Sequence, residues 1–360
     1  MKKFLIPTFV FCSLLAAQAQ FTAGNLVVLR DGTGSAALSS AGTAIFLDQY
    51  TTAGGFVNSL GIPTTGATAL VNSGSASSEG ALNLSANGQY LVFAGYNANA
   101  GTASIANTTA AAAPRGVGTV DASGNYILAA TTSSSFSANN VRSGTSDGSG
   151  NYWAVGANSG TVYLGTGTPG AVSTTSANNR IIQDIGGNLY FSTGSGASRG
   201  IFQISGAPTS GANTAVSLIN NGANASPYDF AFNASMTVAY IADSDPFTNS
   251  STIGGVERWS FNGTSWAFNY SLSLGTNGAV GLAVNFSGAN PTIYATSANG
   301  NSLFGIVDTG AGATGTLLDT AGANEAFRGL DFSPTPEPST LALGGLGLAA
   351  IGFFRRNRKV

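Results

Sequence analysis

Histidine is missing from this chain altogether. Cysteine occurs once, at Cys12, and lysine three times, at Lys2, Lys3 and Lys359. The stretch from Gln20 to Thr335 therefore holds no histidine, cysteine or lysine. Those absences exclude most nucleophile–base pairs, Schiff-base chemistry and the usual zinc ligand sets. They also exclude a disulfide framework, so cysteine usage says nothing of the redox compartment. Charge is scarce too. Charged residues make up 8% of the chain, where about 25% is usual. From Gln20 to Thr335, fourteen carboxylates stand against seven arginines, a net charge of −7. An acidic surface without a basic patch argues against nucleic acid as a partner.

What is present is glycine, 50 of 360 residues, with much serine, threonine, alanine and asparagine. With 43% apolar residues and little charge, the chain is not of the disordered type. Such a composition favours many short strands joined by tight polar turns. One pattern recurs: a small polar turn with a glycine, then a strand bearing an aromatic. "SANGQYLVFAGY" starts at Ser85, "DASGNYILAATT" at Asp121, "DGSGNYWAVGAN" at Asp147 and "DIGGNLYFSTGS" at Asp184. Looser versions start at Asn233 and Ser287. The tyrosines at 90, 126, 152, 190, 240 and 294 are 36, 26, 38, 50 and 54 residues apart.

A repeat of about 40 to 50 residues built from short strands predicts an all-β fold, a β-propeller of about six or seven blades. A β-sandwich pair fits less well, because the repeats run along the whole chain. A parallel β-helix would need a shorter, more regular period. "NLVVLRDG", "AIFLDQYTT" and "GFVNSLG" read as the first blade, and "RGLDFSP" from Arg328 as a last strand that closes the ring. "YDFAFNAS" from Tyr228 and "GLAVNFSG" from Gly281 read as inner strands. Gly101 to Pro114 and Thr131 to Asn140 read as surface loops or insertions.

The two ends have a different character. Lys2 and Lys3, the apolar run from Phe4 to Ala16, and the small residues Ala17 and Ala19 form a secretory signal helix, with cleavage expected before Gln20. At the other end, Leu341 to Phe354 is an uncharged run rich in Leu, Ala and Gly. As a helix, it would span about 21 Å against a hydrocarbon core of about 30 Å, a marginal crossing. Arg355, Arg356, Arg358 and Lys359 would hold its end on the cytoplasmic side. The order Pro336-Glu337-Pro338, apolar run, basic cluster resembles the PEP-CTERM sorting signal. The resemblance covers about 25 residues, Pro336 to Val360. It implies recognition at Pro336-Glu337-Pro338 by an exosortase, an integral membrane enzyme. Removal of the tail and transfer to the cell surface or matrix of a Gram-negative bacterium would follow. Three regions result: a signal peptide over 1–19, a propeller-like extracellular domain over 20–333, and a sorting signal over 334–360. The precursor would sit in the inner membrane.

Few residues of the body suggest chemistry. Asp243 and Asp245 in "IADSDPF" form the closest acidic pair. Oxygen ligands so close could suit Ca²⁺ or a hydrolytic site, but their place after a strand and beside Pro246 favours a turn. Asp121 and Asp147 sit in loops that superficially resemble calcium loops and lack the distal glutamate. In "VERWSFNGTSWAFNY", Asn262-Gly263 is a hairpin signal. A two-residue loop would set Trp259 opposite Trp266, a pair suited to core packing or to holding a sugar ring. No cofactor or metal site is expected. The combined reading favours a non-enzymatic exported surface or matrix module associated with exopolysaccharide. A secreted glycan lyase or hydrolase on the same scaffold is the alternative.

Overall fold

Short apolar runs between polar turns pair most simply with their chain neighbours, as antiparallel meanders. Residues 20–336, which the computed structural model describes, form six such four-stranded sheets. The expected helices at the two ends, over 1–19 and 337–360, lie outside the described residues. The six sheets are the blades of a β-propeller. Their innermost strands are Leu82–Leu84, Val141–Ser146, Ile182–Ile185, Pro227–Phe232, Ala279–Asn285 and Ala326–Phe332, and these surround the central axis.

Five blades follow chain order from the inside outwards. Blade 1 does not. Its three outer strands, Leu26–Asp31, Ile45–Tyr50 and Phe56–Gly61, come from the N-terminus, and Ala326–Phe332 supplies the innermost one. Leu26 pairs with Phe332 and Val28 with Leu330. This closure joins the two ends of the described chain in one sheet. It also fits tightly: a Cβ on Gly329 would lie 2.2 Å from the Leu82 amide nitrogen.

The count settles at six because Tyr126 does not mark a blade. Tyr90, Tyr152, Tyr190, Tyr240 and Tyr294 all lie on second strands, after the inner hairpin turn. Tyr126 opens Tyr126–Thr132, the outermost strand of blade 2. Inner and outer hairpins need the same turn chemistry, so the local pattern is the same in both.

Inner strands of adjacent blades are joined by side chains. The Asp229 carboxylate accepts from the Leu282 amide (3.0 Å) of blade 6 and from Gln183 Nε2 (3.0 Å) of blade 4. Asp331 accepts from the Leu84 amide at 2.6 Å, linking blades 1 and 2. Asn83 Nδ2 donates to Ser143 Oγ and to the Gly144 and Ile182 carbonyls. Farther out, apolar clusters fill the wedges between blades. Between blades 3 and 4, Trp153, Val155, Ile182 and Leu189 pack with Phe191, which stacks on Phe202 at 5.5 Å.

Turns within a meander alternate between its two ends. One face of the propeller, here called the bottom, carries the first-to-second and third-to-fourth strand turns. The top carries the remaining connections. Both described chain ends lie at the bottom, on blade 2. Phe21 N donates to the Ala122 carbonyl, and Thr335 N to the Gly88 carbonyl. The two segments expected as surface loops are ordered top-face connections of blade 2. Ile105, Ala110, Ala113 and Phe136 are buried, and Thr131 and Thr132 belong to a strand. Arg115 ties the segments together. Its guanidinium donates to the Ala106, Thr108, Ala113 and Asn139 carbonyls.

Candidate functional site

The top mouth of the central channel gathers polar side chains from several blades. Its lining includes Ser78, Glu79, Tyr228, Val280 and Arg328, with about 10 Å³ of free space, room for one water at most. The top mouth is therefore nearly closed, and its chemistry lies on the rim. Glu79 comes from the connection between blades 1 and 2. Its carboxylate accepts from Tyr96 Oη (2.5 Å), Asn140 Nδ2 (2.5 Å) and the Ser73 amide (2.8 Å). Burial pushes its pKa up to about 7, against the pull of those donors. Beside it, Arg328 donates from Nε to Asp31 Oδ2 at 2.9 Å.

Two further arginines flank this rim. Arg142 opens the inner strand of blade 3. It donates from Nε to Ser78 Oγ (3.2 Å) and from Nη1 to Asn178 Oδ1 (2.5 Å) and the Asn179 carbonyl (3.1 Å). Arg180 stands two residues before the inner strand of blade 4. Its Nη1 donates to Ser226 Oγ (2.8 Å) and the Pro227 carbonyl (3.1 Å) of blade 5. One face of its guanidinium lies 4.1 Å from the Tyr228 ring centroid, a cation–π contact. Gly194 also lies against the guanidinium, where a Cβ would come within 2.5 Å of Cζ. Burial lowers the Arg142 pKa, and the Arg180 charge adds to that. Among the described residues, neither arginine has a carboxylate partner.

A second cluster lies on the top side of blade 5. Asp243 ends its second strand and Glu257 lies early in its third. Asp243 accepts from the Ser226 and Asp245 amides, both at 2.8 Å. Glu257 Oε2 accepts from Asn221 Nδ2 (2.5 Å) and Trp259 Nε1 (2.7 Å). Burial, and then the Asp243 charge, raise the Glu257 pKa well above its usual value. Glu257 Oε1 has no hydrogen-bond partner among the described residues. Both carboxyls are 0% exposed, so neither touches solvent or a ligand on the surface. A pocket of about 310 Å³ next to them is lined by Asn221 to Ala225, Asp245 and Ile253.

Of the residues singled out in sequence, Asp243 is a buried turn residue, and Asp245 is partly exposed at the adjoining pocket. Trp259 is 6% exposed, in the core between blades 4 and 5. The hairpin register differs from expectation. Asn262 Oδ1 accepts from the Thr264 and Ser265 amides, which stabilises a four-residue loop. Trp266 then faces Phe261, and Trp259 faces Phe268 across a bulge. The two indoles are diagonal neighbours, and Trp266 packs on Phe232 and Phe261. Pro336 is the last described residue of the sorting motif. Glu337, Pro338, Arg355, Arg356, Arg358 and Lys359 lie outside the described residues, as do Ala17 and Ala19. Gln20 accepts through its carbonyl from Gln49 and Asn58 on the bottom face. The sequence reading passed over Glu79, Arg142, Arg180 and Glu257. The available signal was an arginine at or just before an inner strand, repeated at 142, 180 and 328.

Replacing Trp259 with phenylalanine removes a donor from a buried carboxyl. The expected cost is about 2 kcal/mol, read as a lower urea midpoint with an unchanged slope.

Residues 334–359 match the PEP-CTERM protein-sorting motif. That motif implies export through an exosortase and sorting toward the cell surface. No curated protein matches the chain in sequence. Among solved structures, the chain is similar to a candidate 6-phosphogluconolactonase of Bacteroides fragilis: 12% identity, TM-score 0.48, 83% of this chain and 82% of that one. The periplasmic gluconolactonase of Pseudomonas aeruginosa gives 12% identity and TM-score 0.43, over 82% and 83%. The GH74 enzyme of Niastella koreensis gives 15% and 0.47, over 83% of this chain and 46% of that one. At these values the likeness concerns the fold, and no activity passes from it to this chain.

Proposed function

We propose that this chain is an exported surface or matrix protein whose propeller is a binding module for extracellular polysaccharide. The sorting motif at 334–359 is the observation that carries the reading. The place of the chain ends supports it. Residue 336 leaves from the bottom face, so a tether or a surface attachment there leaves the top rim accessible. Arg142, Arg180, Tyr228 and the partly exposed Asp245 are its ligand-contacting candidates on that face; Trp266, on an outer strand of blade 5, is a further one away from it.

The glycan-active enzyme is the second reading, and the Asp243–Glu257 pair is the one observation that favours it. A carboxyl whose pKa is raised by burial and by a second carboxyl beside it is the kind of group that acts as a general acid. Against this, both carboxyls are sealed from solvent, and Asp243 is engaged by two backbone amides. A catalytic acid must reach the glycosidic oxygen.

Replacing Pro336-Glu337-Pro338 with alanines in the native cell tests the sorting. Unmodified protein recovered from the surface is expected to begin near Gln20 and end near Pro336. The triple variant is expected to stay in the membrane fraction with its C-terminus through Val360. Equal processing of both would overturn the exosortase reading. Product release from a glycan panel would replace the binding reading with the enzymatic one.

A further inference from the structure

The geometry points to an anion site on the top rim, in which Arg142 and Arg180 grip the carboxylate of an acidic sugar. It rests on the polysaccharide reading above and narrows it to uronate-bearing chains. Seven arginines serve the described residues, and most are occupied. Arg30, Arg258 and Arg328 are ion-paired. Arg115 is buried among backbone carbonyls, and Arg199 donates to the Ala225 carbonyl. Arg142 and Arg180 stand apart from these. Each is held by neutral acceptors, Arg142 through Nε and Nη1 and Arg180 through Nη1. Nη2 of Arg142, and Nε and Nη2 of Arg180, have no acceptor among the described residues. They are not among the buried unpartnered atoms either, so they reach solvent.

The pair is also fixed in place. Ser78 and Asn178 anchor Arg142; Ser226, the Tyr228 ring and Gly194 anchor Arg180. A planar guanidinium held in this way loses little freedom on binding; Arg180 offers Nε and Nη2 as two parallel N–H groups to a carboxylate, and Arg142 adds Nη2. Glu79, whose charge acts on Arg142, is turned inward to Tyr96, Asn140 and the Ser73 amide. The rim is thus a positive spot on an acidic protein. Tyr228 is engaged with Arg180, so the site supplies charge and hydrogen bonds more than a free aromatic face.

The test is isothermal titration of the full-length chain in detergent. The probes are oligogalacturonate, a neutral cello-oligosaccharide of the same length, and inorganic phosphate. Oligogalacturonate is expected to bind, and the neutral oligosaccharide to bind at least about tenfold more weakly. Raising salt from about 0.05 to about 0.5 M should weaken the uronate affinity severalfold. Arg180→Gln and Arg142→Gln should each reduce it about tenfold, and Arg258→Gln should leave it unchanged. Arg180 joins blades 4 and 5, so its variant is first compared with wild type by thermal unfolding. If that variant is unfolded, Arg142→Gln and the salt series still decide. Phosphate that binds while oligogalacturonate does not would assign the site to phosphate and overturn the uronate claim. Equal binding of neutral and acidic oligosaccharides would overturn the anion site and keep the polysaccharide reading. No binding of any oligosaccharide would overturn both.

Discussion

Arg328→Leu is expected to cost about 3–5 kcal/mol, the usual penalty for stranding one member of a buried ion pair. Arg328 is on the closing strand and Asp31 ends the first strand of the described residues. They meet at 2.9 Å with side chains 6% and 0% exposed. Asn72 Nδ2 donates to the other Asp31 oxygen at 2.9 Å, and Arg328 Nη2 donates to the Gly74 carbonyl at 3.1 Å. The pair thus fastens the ring where its two ends overlap. Without the guanidinium, the Asp31 carboxylate stays in a site that already raises its pKa through burial. For a chain of this size, the loss corresponds to a fall in melting temperature of about 5–8 °C. The double variant Arg328→Leu with Asp31→Leu should recover much of it, because the buried charge goes as well. A single variant that melts within about 1 °C of wild type would remove the closure from this role.

The second large effect is a stability that falls as pH rises. Glu79 has its pKa raised from 4.5 to about 7, and Asp331 from 3.8 to about 6, in both cases chiefly by burial. Asp229, Asp243 and Glu257 are raised for the same first reason. Between the unfolded and folded values, the native state holds a proton that the unfolded chain has released. Stability therefore decreases with pH across that window. For Glu79 the stabilisation is fully present below about pH 4.5 and lost by about pH 7, a change of about 3 kcal/mol. Thermal unfolding should give a higher midpoint near pH 5 than near pH 7.5. Glu79→Gln should flatten the slope between about pH 4.5 and 7. A midpoint that rises from pH 5 to 7.5 would show that these carboxyls ionise freely in the folded protein.

How much of this was legible in sequence depends on the range of the interaction. Turn residues and apolar runs act over a few positions, so the strands, the meanders and the closing segment from Arg328 could be read directly. The blade number could not, since the turn before Tyr126 has the same local chemistry as the turns before Tyr90 and Tyr152. Only the pairing of Tyr126–Thr132 outside Arg115–Asp121 sets it apart. The Trp259–Trp266 register failed for a related reason. Asn262 satisfies two amides with its own side chain, which lengthens the loop and shifts every cross-strand partner.

The sequence by itself determined the class of fold, the absence of histidine, cysteine and lysine chemistry from the body, and the sorting motif. Composition and short contiguous motifs carry all three. Tertiary structure alone decided which polar groups meet. Arg142 and Arg180 are 38 residues apart in the chain, and Arg328 and Asp31 are 297. Ring closure brings these residues to one rim because each starts, precedes or joins an inner strand. It also separates the rim from both described chain ends, since an antiparallel meander sends alternate turns to opposite faces.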